Sequence, residues 1–167
     1  MALVKYNNRS ILNVTALDSI ASGDTNLITT NTISSGVSSS SFTSNIDSTY
    51  DTYLFKFINV HPASTAKFQV NFRDGGSDFD ATKTTTHTGV YHRENGAASG
   101  LQYEDGRDLA QDTGYASISD DNNTDNDHAV NGEMFLFSPS STTFVKHFIA
   151  RTRVEALYTT DGFVAGY

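Results

Sequence analysis

The segment Thr49–Arg73, TYDTYLFKFINVHPASTAKFQVNFR, contains two aromatic-rich runs joined by a short loop with one proline. In the second run Phe68, Val70 and Phe72 alternate with polar side chains, which is the pattern of a strand with one buried face. The His-Pro step between the runs disfavours helical geometry and predicts a turn. Two consecutive strands are therefore expected here.

The first run differs because it is apolar on both faces. Aromatic side chains occupy one face and aliphatic ones the other, with only Lys56 interrupting: Tyr53, Phe55 and Phe57 against Leu54, Ile58 and Val60. A strand of this kind needs cover on both sides, either from a second layer of the same chain or from another copy.

A second doubly apolar strand is predicted in MFLFSPSSTTFVKHFIARTRVEALYTT, after an apolar run and a Ser-Pro-Ser-Ser turn. Phe144, Phe148 and Ala150 are expected on one face and Val145, Ile149 and Leu157 on the other. We expect part of the combined second face to be covered by another copy or a neighbouring protein. Its members are Leu54, Ile58, Val145, Ile149 and Leu157.

The rest of the chain predicts further short strands separated by turns. DGG marks a turn after Arg73, KTTTHTGVYH reads as a Thr-rich strand that ends near Asn95 and Gly96, and SISDDNNTDNDHAVNG reads as a polar loop. A short helical turn is expected only in YEDGRDLAQDTGY, with Leu109 and Ala110 as its apolar contact. About eight strands and almost no helix predict an all-β fold, an antiparallel β-sandwich of jelly-roll type.

The N-terminal region predicts a different kind of structure. Residues 1–33 have weak periodicity and are interpreted as an extended arm that becomes ordered on docking to a partner. Residues 34–167 are the predicted β-sandwich domain, and its tetraserine Ser38–Ser41 is expected in a surface loop. The length of 167 residues suits one domain with a proper core.

Composition excludes several classes of function. A net charge of −8 with only 11 Lys and Arg residues argues against a nucleic-acid partner. Without cysteine there is no disulfide framework and no thiolate site. No segment resembles a signal peptide or a membrane span, so the protein is expected to be made and kept in the cytosol or to leave by cell lysis.

Two metal sites can be tested against the sequence, and neither is favoured. The oxygen-rich segment Asp120–Asp127 resembles a calcium loop, but Asn126 stands where an EF-hand has its glycine and the closing glutamate is missing. A zinc site would need paired histidines, and His87 and His92 fall on opposite faces of one strand. The other histidines, His61, His128 and His147, are far apart in the sequence.

Catalysis is not favoured either. Glu104, Asp105 and Asp108 are close enough to suggest a carboxylate pair, but acidic clusters in turns are more often caps or solvated faces. No nucleophile, phosphate-loop or zinc-protease motif occurs. We therefore expect no enzyme activity, no catalytic residue, no cofactor and no metal. The eight tyrosines could serve carbohydrate binding, although tryptophan is absent.

A resemblance adds to this interpretation. The segments IDSTYDTYLFKFINVHPAS, NFRDGGSDFDATKTTTHTGVYH, DLAQDTGY and FSPSSTTFVKHFIA, together with the opening MALVKYNNRS, resemble small virion structural proteins of tailed bacteriophages, especially marine ones. The resemblance implies a β-sandwich assembled in the host cytoplasm and displayed in several copies on the particle. It also implies a further strand after DGFVAGY. Either this chain is naturally short or its sequence continues, and in both cases another element is expected to replace that strand.

The expectation that follows is a tail appendage or fibre component, a homo-oligomer and most simply a trimer, attached to other virion proteins through its arm. A capsid decoration protein remains the alternative within this class. A module that binds host-surface carbohydrate is the alternative from a different class. The sequence does not choose between head and tail.

Overall fold

The computed structural model describes residues 25–155 and 158–167. The chain divides into two compact units, Met1–Thr32 and Ile33–Tyr167. In the described part of the first unit, residues 25–32, there is no helix or strand. The predicted arm lies mostly outside the described residues and stays a prediction.

Eight β-strands and no helix occur in the part of the chain that the structure describes. They are β1 (Thr52–Val60), β2 (Ala66–Val70), β3 (Thr85–Arg93), β4 (Ser99–Tyr103), β5 (Ala116–Asn122), β6 (Val130–Phe137), β7 (Phe148–Glu155) and β8 (Tyr158–Gly166). The predicted all-β class is thus confirmed.

The strands form two antiparallel sheets that pack face to face. A six-stranded sheet has the order β1-β6-β7-β8-β3-β4, and β2 pairs with β5 in a second, smaller sheet. β5 lies against β7, β8 and β3, so the small sheet covers the middle of the large one. This is the antiparallel sandwich that the sequence predicts, while jelly-roll connectivity remains a prediction.

The main core lies between the two sheets. The buried side chains of its cluster are Tyr53, Ala116, Ile118, Met134, Leu136, Phe148, Ala150 and Val164. β2 contributes aromatic contacts: the rings of Phe68 and Phe57 are 4.9 Å apart, and Phe72, just after β2, lies 5.1 Å from Phe148. The alternation predicted for Phe68, Val70 and Phe72 is confirmed, since all three pack against this core.

The segment before β1 covers the β1 end of the same inner face. Ile46 packs against the core, and the ring of Phe42 meets Phe55 edge-on at 5.6 Å. The hydroxyl of Tyr53 donates to the carbonyl oxygen of Asp47 at 3.1 Å. The aromatic face of β1 is therefore enclosed by this chain itself.

Three local predictions are wrong. The polar loop predicted from SISDDNNTDNDHAVNG is wrong at both ends. VNG begins β6, and SISDDN belongs to strand β5, in which residues 116–119 are all buried. This works because the hydroxyls of Ser117 and Ser119 donate to backbone carbonyls, and the amide of Phe68 donates to Ser119 Oγ at 2.8 Å. A polar sequence can thus occupy the interior when its donors are satisfied there.

The second wrong prediction is the long strand through Phe144. β7 begins only at Phe148, and Phe144 and Val145 precede it with exposures of 74% and 56%. The segment before β7 is instead turned back by Ser141, whose Oγ accepts from the amide of Phe144 at 2.9 Å. Phe148 and Ala150 are buried on one face as predicted.

The third is the helical turn in residues 103–115. One hydrogen-bonded turn closes from the amide of Arg107 to the carbonyl of Glu104 at 3.0 Å, and no helix follows. The amide of Leu109 instead donates to Thr85 Oγ1 at 2.8 Å, so the chain is tied to β3. Leu109 contacts the core as predicted, whereas Ala110 is exposed.

Candidate functional site: the open face of the large sheet

Because the small sheet covers only one side of the large sheet, the outward side chains of β1, β6, β7, β8, β3 and β4 form a second surface. We call this surface the open face. Its apolar members are Leu54, Phe135, Phe137, Ile149, Ala165, Phe163, Val90, Leu101 and Tyr103. All of them are exposed or half-buried, whereas their inward neighbours on β6, β7 and β8 are buried.

The strand register aligns four of these residues in one row across the sheet. Leu54 pairs with Phe135, Phe135 with Ile149, and Ile149 with Ala165. Phe135 also stacks on Phe137, with ring centroids 6.3 Å apart and planes within 10°. The row therefore presents continuous apolar surface across β1, β6, β7 and β8.

A row of charged side chains lies beside the apolar row, two residues away along each strand. Lys56 pairs with Glu133, and Glu133 with Arg151, so positive and negative side chains alternate across three strands. The register continues to Phe163 on β8, which is 47% exposed. The open face thus combines an apolar stripe with charges of both signs.

At the β3 side the open face has a shallow cavity of about 280 Å³ lined by Thr88, Gly89, Val90, Arg151, Asp161 and Phe163. Arg151 donates to Asp161 from Nε at 3.0 Å and from Nη2 at 2.6 Å. Next to the cavity on β4, Leu101 and Tyr103 are 77% and 52% exposed. The arrangement can offer an aromatic surface and an ion pair to one ligand.

The sequence predicts the outward faces of β1 and β7 only in part. Leu54 is 38% exposed, Ile58 is 74% exposed and Ile149 is half-buried, as expected for a second apolar face that the described chain leaves open. Val145 lies before β7 rather than within it, and Leu157 is outside the described residues. Val90, Leu101 and Phe163 were not anticipated, although each follows the alternation of its own strand.

The structure separates the residues of the calcium candidate. Asp120 and Asp121 belong to β5, and both face Arg107, whose Nη1 lies 2.9 Å from Asp120 Oδ1. Asp125 and Asp127 lie in the following turn near His128, at 3.9 and 3.8 Å. No group of three metal-binding side chains occurs among residues 25–155 and 158–167.

The acidic triplet near β4 is also divided. Glu104 Oε2 lies 3.1 Å from Arg107 Nε, in a half-buried ion pair. Asp108 accepts a hydrogen bond from the hydroxyl of Tyr103, and that bond raises the pKa of Tyr103. Asp105 is exposed. Glu104 and Asp108 thus each bind a neighbouring side chain in this turn, and the expected lack of a catalytic pair stays a prediction.

Of the histidines, His87 and His92 point to opposite faces of β3 as predicted, since His87 is buried and His92 is exposed. His61 Nδ1 lies 2.7 Å from the carbonyl oxygen of His128, and His147 packs near the ring of Tyr167.

Comparison with protein-family models, with curated proteins and with solved structures found no match to this chain. Among the described residues no helix is long and apolar enough to cross a membrane.

Proposed function

We propose that this protein is a non-enzymatic structural subunit of a tailed-phage virion that assembles with copies of itself through the open face. Self-assembly is supported by one observation, the apolar row of Leu54, Phe135, Ile149 and Ala165. Contiguous apolar surface of this kind usually marks a protein interface, since leaving it in water is unfavourable.

The charged row supports a second copy as the partner. Lys56, Glu133 and Arg151 alternate in sign, so the same patch on another copy can place opposite charges against them. In a trimer, the apolar rows of three copies would pack towards the common axis.

The virion part of the proposal is supported by composition and by the sequence resemblance. Ser and Thr make up roughly a quarter of the chain, and the charge of −8 favours solubility at high copy number. Within this class we place the protein on the tail as an appendage or fibre component. Capsid decoration is the alternative position.

Sedimentation equilibrium of the purified protein tests the assembly. We expect an oligomer for the wild type and a monomer for Ile149→Glu, because a carboxylate in the apolar row would be desolvated at the interface. Tyr115→Glu is the matched control: Tyr115 is 54% exposed and precedes β5 in the small sheet, so its variant should remain an oligomer. A wild type that stays monomeric at micromolar concentration would reject self-assembly.

Mass spectrometry and labelling of purified phage particles test the virion assignment separately. The chain should be found in the particle, and a bound label should mark the tail in electron micrographs. A label on the head would favour the decoration alternative, and absence from particles would reject the virion class while leaving the oligomer result intact.

One observation favours the carbohydrate-binding alternative. Phe163 lies beside Arg151 of the Arg151–Asp161 pair in the cavity, and Tyr103 follows in the same row beyond Thr88. Sugars bind to aromatic faces bordered by polar groups that fix their hydroxyls. A glycan array would show binding by the wild type that is lost in Phe163→Ala. Phe144→Ala, which removes an exposed aromatic ring outside the cavity, should bind as the wild type does.

A further inference from the structure

The imidazole of His87 lies in the interior between the two sheets. His87 is 0% exposed in the middle of β3, and neither ring nitrogen has a hydrogen-bond partner among the described residues. The ring lies against β8, because a Cβ added to Gly162 would be 3.5 Å from Nε2 of His87. A buried imidazole with two unpaired nitrogens is costly, and it becomes more costly when it is charged.

The small sheet covers the place where His87 lies. Ile118 and Ser119 of β5 are 0% exposed, and β5 packs on β7, β8 and β3 around the histidine. Thr152 of β7 donates its hydroxyl hydrogen bond to the carbonyl of Ile118. The same hydroxyl would lie 3.4 Å from a Cβ at Gly162. A polar link between the two sheets therefore lies in the neighbourhood of His87.

Charged groups of both signs approach His87 from the elements around it. Asp120 of β5 and Asp108 in the turn after β4 favour the protonated ring, whereas Arg107 in the same turn and Lys67 of β2 oppose it. Arg107 lies 2.9 Å from Asp120 and so offsets that carboxylate.

The charged groups that act on the ring within the described residues are these four, and none of them belongs to β7 or β8. Burial is the largest effect on the histidine, and it lowers the pKa of His87 from its ordinary value.

We propose that His87 is an acid-sensitive latch between the two sheets. Protonation would add a charge and a second N–H to a ring whose nitrogens have no hydrogen-bond partner among the described residues. The protein can relieve this only by letting water reach the ring, and the short route is separation of the β2–β5 sheet from the large sheet. This inference is independent of the proposed virion role.

The direction of the pH effect follows from linkage. The pKa of His87 is lower in the folded state than in the unfolded state, so the neutral ring stabilises the fold fully above the ordinary pKa of about 6.5. This stabilisation by His87 is lost as the pH falls below that value. Between pH 7.5 and 5.5 a ring that stays neutral in the folded protein increases the unfolding equilibrium constant by about tenfold.

Denaturant unfolding at pH 7.5 and 5.5 tests the latch. When the pH is lowered from 7.5 to 5.5, the unfolding equilibrium constant of the wild type should rise about tenfold more than that of His87→Gln. His92→Gln is the matched control, because His92 lies on the exposed face of the same strand and its variant should keep the wild-type pH dependence. Equal pH dependence of wild type and His87→Gln would overturn the proposal.

Hydrogen exchange and imidazole NMR on the wild type give a second readout that does not depend on the folding of a variant. After correction for intrinsic rates, acid should speed exchange of the β5 amides more than that of the β6 amides. The His87 ring should take up its proton only as β5 protection is lost. A His87 ring that protonates while β5 stays protected would also reject the latch.

Discussion

Arg151 and Asp161 form a two-point ion pair across the central strands β7 and β8, with N–O distances of 3.0 and 2.6 Å. Arg153 lies 3.5 Å from the same Asp161 Oδ2. The hydrogen bonds from Arg151 are the largest cause of the lowered pKa of Asp161, and the charge of Arg151 also contributes. Part of the stability of the fold at acid pH therefore depends on this ion pair of the open face.

Replacing Arg151 by Ala should make a small, pH-dependent reduction in stability. A carboxyl group with a lowered pKa stabilises the fold above its ordinary value of 3.8, and this contribution is lost as the pH falls through the lowered value. Urea midpoints of wild type and variant should differ at pH 7, and the difference should shrink as the pH falls below 3.8. Arg153→Ala, which loses only the longer contact, should show a smaller difference. A gap that persists unchanged at pH 3 would argue against the ion pair as its source.

Two phenylalanines four positions apart should respond very differently to truncation. Phe148 is 2% exposed and packs against Phe72, so Phe148→Ala should cost about 3–5 kcal/mol of unfolding free energy. Phe144 is 74% exposed, and Phe144→Ala should change it by less than about 0.5 kcal/mol. Denaturant unfolding of both variants measures the difference. Similar losses would mean that Phe144 contributes to the fold despite its exposure.

Gly132 should not tolerate a side chain. A Cβ at this position of β6 would lie 2.4 Å from the carbonyl oxygen of Arg151 and 2.8 Å from the Cα of Thr152, so the backbone of β7 would have to move. Gly132→Ala should lower the unfolding free energy by about 1–3 kcal/mol. At Gly106 nothing lies within 4 Å of an added Cβ, and Gly106→Ala is the control for calorimetry. A melting temperature for Gly132→Ala equal to that of the control would contradict this packing.

Glu104 and Asp105 are adjacent carboxylates with different environments. Glu104→Gln should lower the unfolding free energy by about 1 kcal/mol, because the half-buried Arg107 loses one of its carboxylate partners. Asp105→Asn should have little effect, since Asp105 is exposed. Thermal unfolding of the two single variants separates these outcomes. The triple amide variant that adds Asp108→Asn is still expected to assemble and attach as the wild type does.

Local pattern in the sequence predicts β1, β2 and β3. β2 is recognised by its alternation of apolar and polar side chains, β1 by its two apolar faces and β3 by its Thr-rich run, and the wrong assignments have physical causes. Ser117 and Ser119 look like loop residues because their burial depends on hydrogen bonds with neighbouring strands that a local pattern cannot reveal. Phe144 fits the alternation of β7, but a turn at Ser141 takes it out of the strand.

The candidate site was predictable on β1 and β7 alone. Leu54 and Ile149 are recognisable because each lies in a run that is apolar on both faces. The addition of Phe163 and Val90 depends on β8 lying between β7 and β3, which is a matter of strand order rather than of local pattern. The Arg151–Asp161 pair likewise requires the register of β7 with β8.

The position of β8 has a consequence for how the chain is made. Although β8 is the last described strand in sequence, it is the one that hydrogen-bonds to both β7 and β3. A nascent chain on the ribosome can pair β6 with β1 and β7, and β3 with β4. No backbone hydrogen bonds join these two groups of strands until residues 158–166 emerge. The large sheet is therefore completed only when β8 is available, and a chain stalled before β8 would carry two unpaired interior edges open to aggregation.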